Sequence, residues 1–371
     1  MGATNFAGLL TKQKIVWARD VWSAARDQMF IKRFTGTSEN SMIQLITDLT
    51  KTEKGERVLM QLVADLVEDG TIGDNAREGY EESMQTYSIE LPIDLIAHQV
   101  KNKGKLSDQK TVINFRKMAK SRLSYWLANR IDQLAFLTLA GIPYTYNNDM
   151  SARTGSPFAQ LSFATTDAPT SKRLLTWTGT ALSTSGNTTS SLSTSSVPKY
   201  SMIVDAIAYA KDHYIKPLNQ GGKEYYVMLV RPGTLAHLKK DADYQRAITS
   251  GMERGKDNPF FTGATVTIDG AVIHEHRLVP STIGLGANNK WGAADVNGYR
   301  TVEGTRTILC GAQALGMADL GEPDWVEKGF EYDSQQGISI DKMFGLLKPK
   351  FYSIYDKSVQ DFGTLCIDHA L

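Results

Sequence analysis

Apolar side chains recur along this chain with two different periods, and the switches between them mark out the elements. Trp17, Val21, Trp22 and Ala25 fall at helical spacing and are followed by Phe30 and Phe34, which predicts one amphipathic helix in an otherwise loose arm over 1–50. Over 55–104 the period drops to two. Tyr87, Ile89, Leu91, Ile93 and Leu95 alternate with Ser88, Glu90 and Asp94, and Val58, Met60 and Leu62 repeat the pattern more weakly. Two strands are expected, joined by the Gly-rich tip 70–79. Pro92 cannot donate to a ladder, so it places the second strand at an edge. A hairpin this long is too thin to bury its own apolar face, and it is expected to lie on something else.

The strongest helix signal follows. Val112, Phe115, Ala119, Leu123, Trp126, Leu134 and Leu137 form a stripe near the 3.6-residue period. Ser107 suits an N-cap, Asp108 favours the positive helix end, and Gly141 with Pro143 supplies a stop. A rod over 107–140 would measure about 50 Å at ~1.5 Å per residue. Beyond it, 178–196 holds 13 Ser or Thr in 19 positions, a low-complexity loop expected as an insertion between subdomains. Residues 202–213 and 232–240 then read as helices and 225–230 as a buried strand. Residues 266–273 read as two strands around Asp269-Gly270, and 325–371 as closing strands. No internal repeat is found.

Composition narrows the classes. A chain of 371 residues with 42% hydrophobic and 22% charged side chains is ordinary globular material, too long for one small core, so two or three packed subdomains are expected. Lys+Arg (41) nearly balances Asp+Glu (40), which argues against a dedicated nucleic-acid-binding protein. Cys310 and Cys366 are the only cysteines. That is no disulfide framework and no zinc ribbon, and it fits folding in a reducing compartment. No apolar run approaches the roughly 18–20 residues of a membrane span. The first residues lack the basic-then-apolar order of a signal peptide, and Phe6 stands where a myristoylation signal needs Ser or Thr. Neither anchoring nor export is expected, nor any membrane partner.

Charge is balanced globally and lopsided locally. Residues 65–94 hold nine acidic side chains against Arg77, and 101–122 hold eight basic ones against Asp108, giving local balances of −8 and +7. Adjacent copies could pair an acidic hairpin with a basic rod, which sets register and orientation more than affinity. The plainer reading is two solvated faces. A further reading turns the basic face toward DNA as a sequence-independent phosphate contact.

Catalytic chemistry is hard to find. His274 and His276 would share one face of a strand and could hold a metal, but no third ligand stands at recognisable spacing and HExxH is absent. Gly221-Gly222 and Gly284-Leu285-Gly286 lack the strand–Gly-loop–helix order of a phosphate loop. No GxSxG elbow exists. Cys310 reads as a buried structural thiol. Asp65, Glu68 and Asp69 carry nothing that would raise one carboxyl selectively. No catalytic residue, metal or cofactor is assigned.

Several blocks, in this order and spacing, carry a resemblance. They are 46–51, Gly70 with Gly73-Asp74 and 78–82, the rod from Phe115 to Gly141, Arg254-Gly255 with Asn258-Pro259-Phe260-Phe261-Thr262-Gly263, and Arg306 to Ala314. Together they resemble major capsid proteins of tailed bacteriophages, specifically the N4-like major capsid family. The Ser/Thr-rich loop fits that pattern least. The resemblance implies an α+β, HK97-type capsid fold. Residues 1–50 would be the N-terminal arm, 51–104 the extended E-loop hairpin, and 105–199 a peripheral domain with the spine helix (105–141) plus the Ser/Thr-rich insertion. A mixed α/β axial domain would span 200–320, and 321–371 would return as peripheral strands.

The implied function is a structural protein that self-assembles into hexamers and pentamers of an icosahedral head around double-stranded DNA. It would assemble in the host bacterial cytoplasm and reside in the virion, with decoration, portal and scaffolding proteins as further partners. Asp74, Arg77, Glu78, Glu81 and Glu82 at the hairpin tip would dock on a neighbour. Lys110, Arg116, Lys117, Lys120 and Arg122 would meet a neighbour or the genome. Trp17, Trp22, Phe30 and Phe34 would pack the arm, on adjacent subunits or on its own domain. The alternatives are another virion protein, an encapsulin-like compartment shell, and a hydrolase with an unrecognised site.

Overall fold

A computed structural model describes residues 11–371 except 48–54, 64–69, 74–76, 79–85, 106–113, 185–187, 252–265, 287, 296 and 333. The arm supplies helix α1 (Thr11–Gln28), a single 3-10 turn (Ile31–Phe34), and strands β1 (Thr35–Gly36) and β2 (Ile43–Ile46). Strands β3 (Arg57–Val63) and β4 (Thr86–Pro92) pair antiparallel, and β5 (Asp94–Lys101) leads to the long helix α2 (Phe115–Ala140). After β6 (Leu174–Trp177), β7 (Leu182–Ser183) and α3 (Tyr200–Asp212) come β8 (Leu218–Gln220), β9 (Lys223–Val230), α4 (Pro232–Lys240) and α5 (Ala242–Gly251). The remainder is strands: β10 (Val266–Ile268), β11 (Ala271–Glu275), β12 (Gly304–Cys310), β13 (Leu315–Asp319), β14 (Asp324–Phe330), β15 (Gln335–Leu347), β16 (Lys350–Ser353), β17 (Ser358–Asp361) and β18 (Thr364–Ala370).

These strands form two main sheets. The larger runs β10-β11-β9-β12-β18-β6-β7, with β8 beside β9. The smaller is organised by β15, which takes β13 and then β14 along one edge and β5 along the other. Residues 311–314 cross between the sheets with almost no room. A Cβ on Gly311 would stand 2.2 Å from the Lys216 carbonyl, and one on Gly363 would stand 2.3 Å from that of Ala312. The expected division at 320/321 does not follow the sheets: β13 belongs to the smaller one, while β18 closes into the larger between β12 and β6. Asp269 (φ 52°) and Gly270 (φ 87°) make the tight turn that the Asp-Gly pair predicts.

Helix α2 lies between the sheets, and its start differs from expectation. Asn114 is extended, and its side chain accepts from the Lys117 N–H, so this helix begins at Phe115 and not at Ser107. Its 26 residues span about 39 Å. Ser107, Asp108 and Val112 lie outside the described residues. The narrow stripe holds only in the first half. From Leu134 to Ala140 every residue is buried, because the arm, both sheets and the loop after the helix surround it. Gly141 (φ 66°) ends the helix, with a Cβ position only 2.5 Å from the Asp167 carbonyl, so glycine is required there. The Arg306 guanidinium donates to the Ala140 carbonyl at 2.8 Å and grips Asp368 through two bonds of 2.7 and 2.8 Å. Helix α2 is thereby fastened to β12 and β18.

Candidate assembly surface

The arm is the first candidate surface, and it is covered by its own chain. Val21, Trp22 and Ala25 are buried against α2 and the smaller sheet. At roughly 1.5–3 kcal/mol for each fully buried large side chain, this is a substantial part of the subunit core. Trp17 meets Trp325 of β14 edge-on at 6.5 Å, and the Arg116 guanidinium stands 4.8 Å from its ring. Trp22 lies 4.0 Å from the Nζ of Lys342, a buried lysine of β15 that also contacts Asp319 and the Gly321 carbonyl. Phe30 stacks on His276 at 4.3 Å and on Phe136 at 5.9 Å, and Phe34 meets His274 edge-on at 4.9 Å. All four predicted arm residues therefore pack, and the partners are intramolecular.

Asp132 of α2 secures this seam, and sequence reading passed over it. Its two carboxylate oxygens accept the backbone N–H of Phe30 (2.9 Å) and of Ile31 (3.2 Å), donors at the start of the arm's 3-10 turn that have no partner within the turn. Burial pushes the carboxyl up to about 6, against the pull of those two donors. A lone acidic residue within the buried half of a helix was the available signal.

The two histidines serve as aromatic walls. His276 stacks on Phe136 at 5.0 Å with a 5° interplanar angle, and burial, with Arg277 and Arg33 nearby, brings it down to about 4. His274 is lowered by burial and by Arg33. Among the described residues, no group of three or more His, Cys, Asp or Glu is placed to hold a metal ion. Cys310 and Cys366 are buried. Burial raises both thiols, Cys366 to about 11, so neither is a thiolate near neutrality.

The hairpin does lie on something else, and that is the rest of its own chain. Val58, Met60, Leu62 and Leu91 are buried against Ile46, Ala318 and Phe362, so the base of the hairpin is covered without a neighbour. The alternation also slips at Ile93. Strand β4 stops at Pro92 in its two-stranded ladder with β3, and β5 restarts in the smaller main sheet beside β15, which leaves Leu95 exposed and turns Ile96 inward. At the tip, Arg77 and Glu78 are exposed, while Asp74, Glu81 and Glu82 lie outside the described residues.

Of the basic candidates, Lys110 is outside the described residues. Arg116 bonds Glu327 at 2.7 Å and Lys120 bonds Asp20 at 2.7 Å, so both are held by the chain's own carboxylates. Lys117 and Arg122 are exposed, on a face that also shows Met118 and Tyr125. A second exposed set was not foreseen. Tyr332 at the β14–β15 turn is fully exposed, and Tyr214 stacks on Tyr355 at 3.5 Å beside exposed Tyr352, Ile354 and Val359 of the β16–β17 hairpin.

That hairpin is anchored by buried charge. Arg173 and His213 both reach Asp356, at 3.4 and 2.5 Å, and Lys348 bonds Asp361 at 2.9 Å. The exposed aromatic rings thus stand on a base tied down by buried ion pairs.

Residues 10–371 match the family model described as phage capsid protein. The major capsid protein of Pseudomonas phage KPP25 is 44% identical over 366 residues, covering 98% of this chain and 96% of that one. The capsid of Ralstonia phage GP4 superposes with a TM-score of 0.74 at 25% identity, covering 92% of this chain and 91% of its own. The capsid asymmetric unit of cyanophage Pam1 gives 0.70 at 18% identity, with 92% and 91% covered. The expected α+β, HK97-type fold is thus observed.

Proposed function

The chain belongs to the phage capsid protein family, and from that membership we propose that it builds an icosahedral head as hexamers and pentamers enclosing double-stranded DNA. It is a structural subunit of the virion. The phage relatives favour this reading over a cellular compartment shell or a hydrolase. The full-length match to KPP25's major capsid protein is the single observation that carries it. Many identical copies with closed symmetry need repeated contacts that tolerate small changes of angle. The exposed aromatic ends at Tyr332 and at Tyr214, Tyr352 and Tyr355 have the character of such contacts.

Residues 51–104 act in this proposal as the extended E-loop, whose acidic tip (Asp74, Arg77, Glu78, Glu81, Glu82) docks on a neighbour. The peripheral domain is assigned to α2 and the smaller sheet, and the axial domain to the larger sheet with α3, α4 and α5. Among the basic candidates the structure favours Lys117 and Arg122 for the genome or a neighbour, since Arg116 and Lys120 are already paired. Contact with DNA would be to phosphates and salt-sensitive. Assembly takes place in the host cytoplasm, with portal, scaffolding and decoration proteins as further partners. Electron microscopy with light scattering on the chain expressed alone tests this. Closed shells or rings of five or six subunits support it, and a persistent monomer at high concentration counts against it.

A further inference from the structure

At one edge of the smaller sheet stands an aromatic ring without a pocket, and at the other a pocket without an occupant. Tyr332, on the turn between β14 and β15, is the most exposed large hydrophobic side chain among the described residues. Glu331 and Tyr332 hold φ angles of 51° and 53°. Left-handed backbone is unfavourable for side chains of this bulk, and no packing of the Tyr332 ring within the subunit offsets it. Beside β1, a cavity of about 430 Å³ opens between the arm and the larger sheet. Arg33, Phe34 and Met42 of the arm line one side, and Leu218, Tyr225 and His274 line the other. The site is therefore largely aromatic and apolar, with a single cation. Arg33 lies 5.7 Å from the Phe30 ring and pairs with no carboxylate among the described residues. No carboxylate lines the cavity.

Ring and cavity are held apart by the topology. The smaller sheet runs β1-β2-β13-β15-β14, so the cavity adjoins one end of that order and Tyr332 projects from the other. They cannot meet within one subunit, nor do they make the single self-complementary patch of a two-fold contact. They can meet head to tail, and head-to-tail contacts close into rings.

We propose that Tyr332 of each subunit inserts into the cavity between Phe34 and His274 of the adjacent copy, with Glu331 set against Arg33. The contact rests on the capsid reading above and names where one copy holds the next. An aromatic anchor in a fitting pocket carries much of the affinity of such an interface, and the Glu331–Arg33 pair at its rim sets orientation. Because the arm supplies half of the cavity, its seating on its own subunit completes the site for the neighbour.

Disulfide trapping in shells of the full-length chain tests the contact. Tyr332→Cys is combined with Gln220→Cys at the cavity rim, while the native thiols at 310 and 366 are buried and do not compete. Oxidised shells should give a ladder of linked subunits ending at five and six on a denaturing, non-reducing gel. Closed shells that release only monomers overturn the contact and leave the capsid reading standing. A wild-type chain that never assembles overturns both. If the double-cysteine chain does not assemble, charge exchange decides. Arg33→Glu and Glu331→Arg should each lower shell yield about tenfold, and the two together should restore most of it. Single reversals that assemble like the wild type, or a double exchange no better than either, overturn the proposal.

Discussion

Trp17, Trp22, Phe30 and Phe34 in the arm, and Tyr332, Tyr352 and Tyr355 beyond the two ends of β15 with Tyr214 stacked on Tyr355, are two aromatic sets with opposite surroundings. The first set is covered by α2, β14, β15 and the histidines of the larger sheet. The second stays in water, on turns and a two-stranded hairpin held in place by buried ion pairs. The difference separates two jobs. The arm belongs to the subunit's own core, and the ends of the long strand are the apolar surface left over for other copies.

The largest expected effect tests that separation directly. Trp22→Ala should cost about 3–5 kcal/mol in chemical denaturation, because it empties a closed site against Lys342 and α2. Tyr332→Ala should stay within about 0.5 kcal/mol of the wild type yet impair shell assembly, since its ring touches nothing buried. Equal costs for the two would erase the distinction.

His369 of β18 is a fully buried imidazole away from the arm. Its Nδ1 donates to the Ala370 carbonyl at 2.8 Å, and its Nε2 accepts from the Thr307 hydroxyl at 2.8 Å. Burial brings it down to about 4 from 6.5. The unfolded chain therefore binds the extra proton between those values. The stability His369 contributes is complete above pH 6.5 and lost as pH falls toward 4, by up to about 3 kcal/mol. Denaturation midpoints measured from pH 7 to pH 4 should fall in the wild type and flatten in His369→Gln. An equally steep fall in that variant would place the acid sensitivity at groups other than His369. Smallest is Lys120→Ala, whose half-exposed pair with Asp20 should cost under about 1 kcal/mol, with the loss shrinking at high salt.

How much of this could be read beforehand depended on whether a signal was local. The Asp269-Gly270 turn, the helices at 200–212 and 232–240, and the alternation of Val58, Met60 and Leu62 follow from neighbouring residues and were legible. The helix start was missed because Ser107 and Asn114 are equally good caps by residue type, and the local sequence does not rank them. The slip at Ile93 was missed because period-two alternation does not say when a chain leaves one sheet for another. The arm's partner was left open for the same reason: amphipathicity shows that a face is buried but not by what. Asp132 illustrates this most sharply, since a buried carboxylate is explained only by donors about a hundred residues away in sequence. Among the candidate site residues, type and position were legible for the arm aromatics. The pairing that commits Arg116 and Lys120 to carboxylates of the same chain was not.

A cryo-electron microscopy reconstruction of the assembled shell bears most directly on the central claim. The account predicts that residues 16–34 of every subunit lie on that subunit's own α2, with Phe30 between His276 and Phe136. It also predicts that Tyr332 and the Tyr214–Tyr355 pair are covered by neighbouring subunits. An arm seated on an adjacent subunit, or aromatic ends still facing solvent in the closed shell, would contradict it.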